Sequence, residues 1–200
     1  MVTNYTFAEW ISNALSSPIV SSIFGILAPF LLGYKDTPTI IALIVIGIVI
    51  YGVLPFMPTF LRIARGNRDI FFSKIEERPR SFFFGILVYI LSYFTFIVMG
   101  LTYYAIFSLT SLIIAFLALT ITLKWKVSIH MIGFCTPLTI LAIISKGFFT
   151  PTLLLTPILM WARVKTKAHS WAQVIVGTFL GIIATYFSMT ILISAFTLQL

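Results

Sequence analysis

The chain alternates long apolar runs with short polar breaks, and this alternation predicts its elements. A run of about 17 to 25 apolar residues is long enough to cross a bilayer as a helix, and a helix satisfies its own main-chain hydrogen bonds there. Seven runs approach this length, and because two of them are short we predict six to seven spans. The runs are about Ser17 to Tyr34, Thr39 to Leu61, Ser81 to Leu101, Thr102 to Leu123, His130 to Ser145, Phe149 to Trp161 and Ser170 to Leu198.

The composition strengthens this interpretation. Hydrophobic residues make up 60% of the 200 residues, charged residues make up 9%, and the mean hydropathy is +1.11. A soluble domain needs more polar surface than this, so lipid must cover the remaining apolar surface. We therefore predict an all-α, polytopic transmembrane helix bundle that crosses the cell membrane several times.

The basic residues are concentrated in three polar segments, 62–80, 124–129 and 163–169. Two predicted spans separate each segment from the next, and an even number of crossings returns the chain to the same side. All three segments are therefore expected on one face, which the positive-inside rule makes cytoplasmic. The basic residues of this face are Arg62, Arg65, Arg68, Lys74, Arg78, Arg80, Lys124, Lys126, Arg163, Lys165 and Lys167, whereas Lys35 and Lys146 lie on the other face.

The formal net charge of +8 does not point to nucleic acid. No soluble basic patch with interleaved aromatic residues and no nucleic-acid motif is present, so anionic lipid headgroups are the expected partners. A metal site would need converging histidine, carboxylate or thiolate ligands, but the acids of this face, Asp69, Glu76 and Glu77, all lie in one loop. We expect no metal, no other cofactor and no nucleic acid, and the sequence leaves the oligomeric state open.

The chain has only two histidines, His130 and His169, and each begins an apolar run directly after a basic segment. One interpretation is that each ring lies at the interface with its polar tip among the headgroups. The other is phosphoryl transfer, in which cations hold a phosphate while one histidine attacks phosphorus and the other protonates the leaving oxygen. Two histidines beside arginine and lysine on one predicted face favour the second interpretation.

Three motifs surround these histidines, in the order 74–79, 126–130 and 163–173. The first contains an Arg-Pro pair, the second reads Lys-Val-Ser-Ile-His, and the third reads arginine, five residues, histidine, three residues, glutamine. Together they resemble the signature of the type 2 phosphatidic acid phosphatase superfamily, over about residues 69 to 177. The chain departs from the family pattern where Phe71 replaces a lysine, Ile129 a glycine and Gln173 an aspartate.

The resemblance implies catalytic roles for His169, His130 and Gln173. His169 is the expected nucleophile, which forms a phosphohistidine, and His130 is the expected general acid, which later helps to activate water. Gln173 lies four residues after His169, so on one helical face it can accept a hydrogen bond from one ring nitrogen and leave the other to attack.

The resemblance also implies a set of groups that bind phosphate. Arginines form paired hydrogen bonds to phosphate oxygens. Where Ile129 replaces the family's glycine, the main-chain N–H can still donate, unless the position needs a positive φ. The expected phosphate-binding residues are Lys74, Arg78, Ser128, the main-chain N–H of Ile129, and Arg163.

A phosphate pocket at the membrane interface favours a phosphate whose tail stays in the bilayer. The resemblance thus implies one membrane-embedded phosphatase domain over residues 1–200, a metal-independent hydrolase of a lipid phosphate or diphosphate. A polyprenyl or dolichyl diphosphate is the first expectation, and phosphatidic acid or phosphatidylglycerol phosphate is the alternative. A non-catalytic lipid-binding or transport protein that kept the fold is the alternative from another class, since the family's aspartate and glycine are replaced.

Overall fold

The structure, a computed structural model, describes residues 6–66 and 78–197, without the side chains of Arg78, Arg80 and Thr197. Within these ranges every regular element is a helix, so the prediction of an all-α bundle is confirmed. The α-helices are α1 (Phe7–Ala14), α2 (Ser17–Leu31), α3 (Thr37–Gly47), α4 (Met57–Ala64), α5 (Arg78–Val98), α6 (Thr102–Thr122), α7 (Ile129–Ile144), α8 (Thr156–Lys165), α9 (Trp171–Phe179) and α10 (Thr185–Thr197). Short π-helical or 3-10 turns, at Ile48–Val53, Leu54–Phe56, Thr150–Leu155 and Leu180–Ala184, join or extend several of them.

Five helical segments of the described ranges are long and apolar enough to cross a membrane. A sixth apolar helix, α7, has 16 residues and is shorter. These six segments correspond to six of the seven predicted runs, and they indicate a membrane protein. The five longer segments are Phe7–Leu31, Thr37–Ala64, Ser81–Val98, Thr102–Thr122 and Trp171–Phe196.

The sixth predicted run, Phe149 to Trp161, is divided rather than continuous. A 3-10 helix covers Thr150–Leu155, and α8 follows it directly. Pro151 and Pro157 are each the second residue of their segment. The N–H groups at the start of a helix have no partner within the helix, so a proline there costs no hydrogen bond. The prolines therefore start a new helix at each point.

The first run begins further toward the amino terminus than predicted, because α1 precedes α2. The Thr6 side chain accepts a hydrogen bond from the Glu9 main chain, and the Glu9 carboxylate accepts one from the Thr6 main chain. This capping box satisfies two N–H groups that a helix start leaves open. Ala8 and Ile11 of α1 then pack against Ala162 of α8.

The centre of the bundle is aromatic. The Phe24 ring of α2 lies 5.2 Å from the Tyr51 ring and 5.3 Å from the Phe107 ring, measured between centroids, and both contacts are edge-on. Phe134 of α7 is buried in the same cluster. Edge-on aromatic pairs contribute about 0.5–1.5 kcal/mol beyond their area burial, so this cluster fixes how α2, α6 and α7 pack.

The outer surface of the bundle is apolar as well. Phe94 on α5 is 62% exposed and Ile191 on α10 is 64% exposed, and further phenylalanine, leucine and isoleucine side chains on these helices are open. Soluble monomeric proteins rarely expose so large a contiguous apolar surface to water. Lipid is therefore the solvent of these helix faces.

The helices α2 and α3 touch through their main chains. A Cβ added to Gly25 would lie 2.6 Å from the main-chain carbon of Gly47, and one added to Gly47 would lie 2.8 Å from the Gly25 Cα. Small residues permit this close approach, which is how helices commonly associate in membranes. The atoms in contact belong to the two main chains, which cannot move aside as the end of a flexible side chain could.

We predict that Gly25→Ala destabilises the protein by about 1–3 kcal/mol, because the added methyl group forces the two helices apart. Thermal unfolding in detergent, followed by the helical circular dichroism signal, measures this change. Gly85→Ala is the matched control, since a Cβ there would meet Pro55 at 3.9 Å, an ordinary contact. Equal stability losses in the two variants would contradict the assignment of the Gly25–Gly47 contact.

Candidate active site

The chain reverses direction immediately after α8. Lys167 has a φ of 55°, in the left-handed region, and its N–H donates to the Val164 carbonyl at 2.9 Å. The N–H groups of Ala168 and His169 both donate to the Arg163 carbonyl, at 3.2 and 3.3 Å. This is the pattern of a Schellman helix end, and it returns His169 to the last turn of α8, beside Arg163.

The His169 ring is held by Gln173. Nδ1 of His169 lies 3.1 Å from Oε1 of Gln173, and the Ser170 N–H donates to the same oxygen at 3.1 Å. An N–H can only donate and an amide oxygen can only accept, so Nδ1 carries the hydrogen that it shares with Gln173. In the neutral ring the lone pair is then on Nε2, the nitrogen that a nucleophilic role requires.

The His169–Gln173 contact has a different local origin from the one the spacing predicts. His169 precedes Ser170, the N-cap of α9, and so does not lie on the helix itself. Gln173 is the third helical residue and completes a capping box with Ser170. The capping box turns the glutamine side chain back toward the start of α9, and this places its oxygen against the His169 ring.

The second motif runs beside the third. Nζ of Lys126 donates to the Ala168 carbonyl at 3.1 Å, and the Ser128 N–H donates to the Gln173 carbonyl at 3.3 Å. A Cβ on Gly177 would lie 2.7 Å from the Ser128 carbonyl oxygen, so only a glycine lets α9 approach this closely. Two predicted basic segments therefore meet at one end of the bundle.

Arg163 and His130 meet at Ser12 of α1. Arg163 is 3% exposed, and its Nη1 donates to Oγ of Ser12 at 2.7 Å. The main-chain carbonyl of Ser12 lies within hydrogen-bonding reach of the His130 ring, and His130, Arg163 and His169 line the same cavity. The two histidines and the arginine thus form one cluster.

This cluster lies at one end of a cavity of about 330 Å³. The cavity reaches along α2 from Ser17 to Phe24 and along α7 from His130 to Ile140. Ten residues of α-helix rise by about 15 Å, which gives the depth of the cavity. Beyond the cluster the described lining is mainly apolar or aromatic, and it includes Tyr51, Phe56, Phe60 and Phe82.

The structure distributes the predicted phosphate-binding residues unevenly. Arg163 and Ile129 line the cavity, whereas Ser128 is fully buried outside its lining, where its side chain caps α7 by accepting from the Met131 N–H at 3.4 Å. Lys74 lies outside the described residues, and Arg78 begins α5 with a side chain that is outside them.

Isoleucine at position 129 fits the main chain. Ile129 is the first residue of α7 and is not among the described residues with positive φ. The N–H groups of a helix's first turn have no partner within the helix, and the helix dipole favours an anion there. A glycine is therefore not required for a main-chain donor at this place.

Sequence reasoning did not identify Ser12, and it assigned Lys126 to the lipid headgroups. Ser12 belongs to α1, outside the three motifs, and the only local signal for that helix is the Thr6 to Glu9 capping-box spacing. Lys126 precedes Ser128 within the second motif, but its contact with the Ala168 carbonyl joins residues 42 positions apart. Such a contact depends on tertiary packing.

The described residues contain no group of three or more histidine, cysteine, aspartate or glutamate side chains that could hold a metal ion. The expectation of metal-free chemistry stays a prediction. Comparisons of the chain with protein-family models, with curated proteins and with solved structures found no match. The cluster and the cavity are therefore the features that bear on function.

Proposed function

We propose that the protein is a metal-independent phosphatase that hydrolyses a lipid phosphate or diphosphate through a phosphohistidine. One observation carries the proposal. His169 is held through Nδ1 by Gln173, and it lies beside His130 and Arg163 at the polar end of an otherwise mainly apolar cavity. These three residues supply the nucleophile, the acid and the cation that the reaction requires. The cavity beyond them has space for an apolar chain.

The chemistry takes place in two steps. Nε2 of His169 attacks phosphorus, the bond from phosphorus to the leaving oxygen breaks, and the His130 ring gives that oxygen a proton. Water then attacks the phosphohistidine, His130 takes a proton from it, and inorganic phosphate leaves His169. Arg163 stabilises the charge that spreads over the phosphoryl oxygens.

The shape of the cavity supports a lipid rather than a soluble substrate. The phosphate would occupy the end formed by Arg163 and the two histidines, and the mainly apolar lining that α2, α5, α6 and α7 supply would take the first part of a chain. A volume of about 330 Å³ is within the range of small-molecule binding sites, roughly 300–1,000 Å³. The proposed substrate is a polyprenyl or dolichyl diphosphate, and phosphatidic acid or phosphatidylglycerol phosphate is the alternative.

A non-catalytic lipid-binding or transport protein is the second candidate. Gln173 closes a capping box with Ser170, and a capping box stabilises a helix start whether or not catalysis takes place. On this reading the glutamine has a purely structural role, and the cavity holds a lipid without hydrolysing it. Activity measurements separate the two candidates.

We predict that the purified protein releases phosphate from a lipid mono- or diphosphate in the presence of EDTA. His169→Ala should lower the rate by about a thousandfold or more, because it removes the nucleophile. A colorimetric phosphate assay over a panel of both substrate classes measures this, with thermal unfolding as the test of folding.

Lys35→Ala is the control, since it removes an exposed cation beyond the opposite end of α2 and should leave the rate unchanged. If the folded wild-type protein releases no phosphate from any lipid of the panel, the phosphatase proposal is wrong and the binding protein is favoured.

We also predict that Gln173→Glu raises kcat by up to about tenfold, because a carboxylate stabilises the positive charge that develops on a histidine nucleophile. Glutamate preserves the capping box and suits the first turn of a helix. Gln173→Leu removes the acceptor and should lower kcat. Equal kcat values for the two variants and the wild type, measured on the same substrate, would assign Gln173 a structural role alone.

For orientation, we propose that the end of the bundle with the cluster is cytoplasmic. Lys165→Cys should react with an impermeant maleimide only after cells are permeabilised, whereas Lys35→Cys should react in intact cells. The one native cysteine, Cys135, is buried and should not contribute. Labelling of Lys165→Cys in intact cells would place the site on the outer face.

A further inference from the structure

The helix α1 is packed onto the site although it lies outside the three motifs. Ala8 and Ile11 pack with Ala162 of α8, and the Phe7 ring lies 6.5 Å from the Trp161 ring, between centroids. Ala162 immediately precedes Arg163 in α8. These contacts fix α1 against the helix turn that carries the arginine of the cluster.

Ser12 is the residue through which α1 reaches the cluster. Its side chain is 3% exposed, and its Oγ accepts a hydrogen bond from Arg163 Nη1 at 2.7 Å. Its main-chain carbonyl lies within hydrogen-bonding reach of the His130 ring. One residue of α1 thus contacts two site residues that belong to two other helices.

We propose that Ser12 is a positioning residue of the site, which aligns the Arg163 guanidinium for a phosphate. This inference deepens the proposed function and rests on it. Ser12 itself does not touch the reacting atoms in this scheme.

The hydrogen bond to Ser12 orients the Arg163 guanidinium. A guanidinium is planar and presents its N–H groups in fixed directions, so a short hydrogen bond at Nη1 sets the orientation of the whole group. Arg163 is buried, and a buried charged group needs hydrogen-bond acceptors. The Ser12 hydroxyl meets part of that need while keeping the group at the cavity, where a phosphate forms charge-assisted bonds with it.

The test measures binding separately from turnover. A non-hydrolysable long-chain alkyl phosphonate, titrated calorimetrically into the full-length protein in detergent, reports on binding of the phosphate group. Ser12→Ala should weaken phosphonate binding and raise KM by about tenfold, because a hydrogen bond to a charged group is lost, while kcat falls less. Ser12→Thr keeps the hydroxyl group and should bind within about threefold of the wild type.

Ile11→Ala is the matched control. It loosens the packing of α1 on α8 and should lower the melting temperature, but it leaves the Ser12 hydroxyl in place and should bind the phosphonate as the wild type does. The inference is overturned if Ser12→Ala binds like the wild type, or if Ile11→Ala weakens binding as much as Ser12→Ala does.

The two proposals fail in distinguishable ways. If the wild-type protein binds the phosphonate but hydrolyses no lipid phosphate, the phosphatase proposal is wrong. The phosphonate affinities of the Ser12 variants then still decide whether Ser12 aligns Arg163. A wild-type protein that does not bind the phosphonate overturns both proposals.

Discussion

The carbonyl oxygen of Arg163 accepts hydrogen bonds from two main-chain N–H groups, those of Ala168 and His169, and the geometry of the site depends on this reversal of the chain. In a continuous helix, six residues would carry His169 about 9 Å further along the axis from Arg163. The left-handed Lys167 ends the helix instead. His169 therefore returns to Arg163, and α9 can begin with a capping box whose glutamine oxygen faces the His169 ring.

Burial of a cation at this point is compatible with a bundle in lipid because the polar groups are concentrated at one end. Arg163 donates to the Ser12 hydroxyl, and Lys126 donates to the Ala168 carbonyl. Burial of such groups without hydrogen bonds would be costly. The mainly apolar cavity that α2, α5, α6 and α7 line begins at this polar end, which is why the arrangement suits an amphiphile with an anionic head.

Much of the fold was predictable because span length and chain breaks are local properties. The predicted boundary between the run that ends at Leu101 and the run that begins at Thr102 is present, with Gly100 at a φ of 68° between α5 and α6. The run from Phe149 to Trp161 was predicted as one element, but its prolines start two successive helical segments. The first predicted run did not include α1, because its eight residues are too few to be recognised as part of a span by hydropathy alone.

By itself, the sequence determined that the chain is apolar, helical and suited to a membrane, since these properties follow from composition and from periodicity within one segment. It also showed that Gln173 lies four positions after His169, although their contact comes from the capping box at the start of α9 and not from a shared helical face. Only the tertiary structure decided that Ser12 joins Arg163 and His130, that Ser128 caps a helix outside the cavity lining, and that the cluster lies at the end of an apolar cavity. The Ser12–Arg163 contact joins residues 151 positions apart, and separations of this size depend on how whole helices pack, which no local pattern of residues encodes.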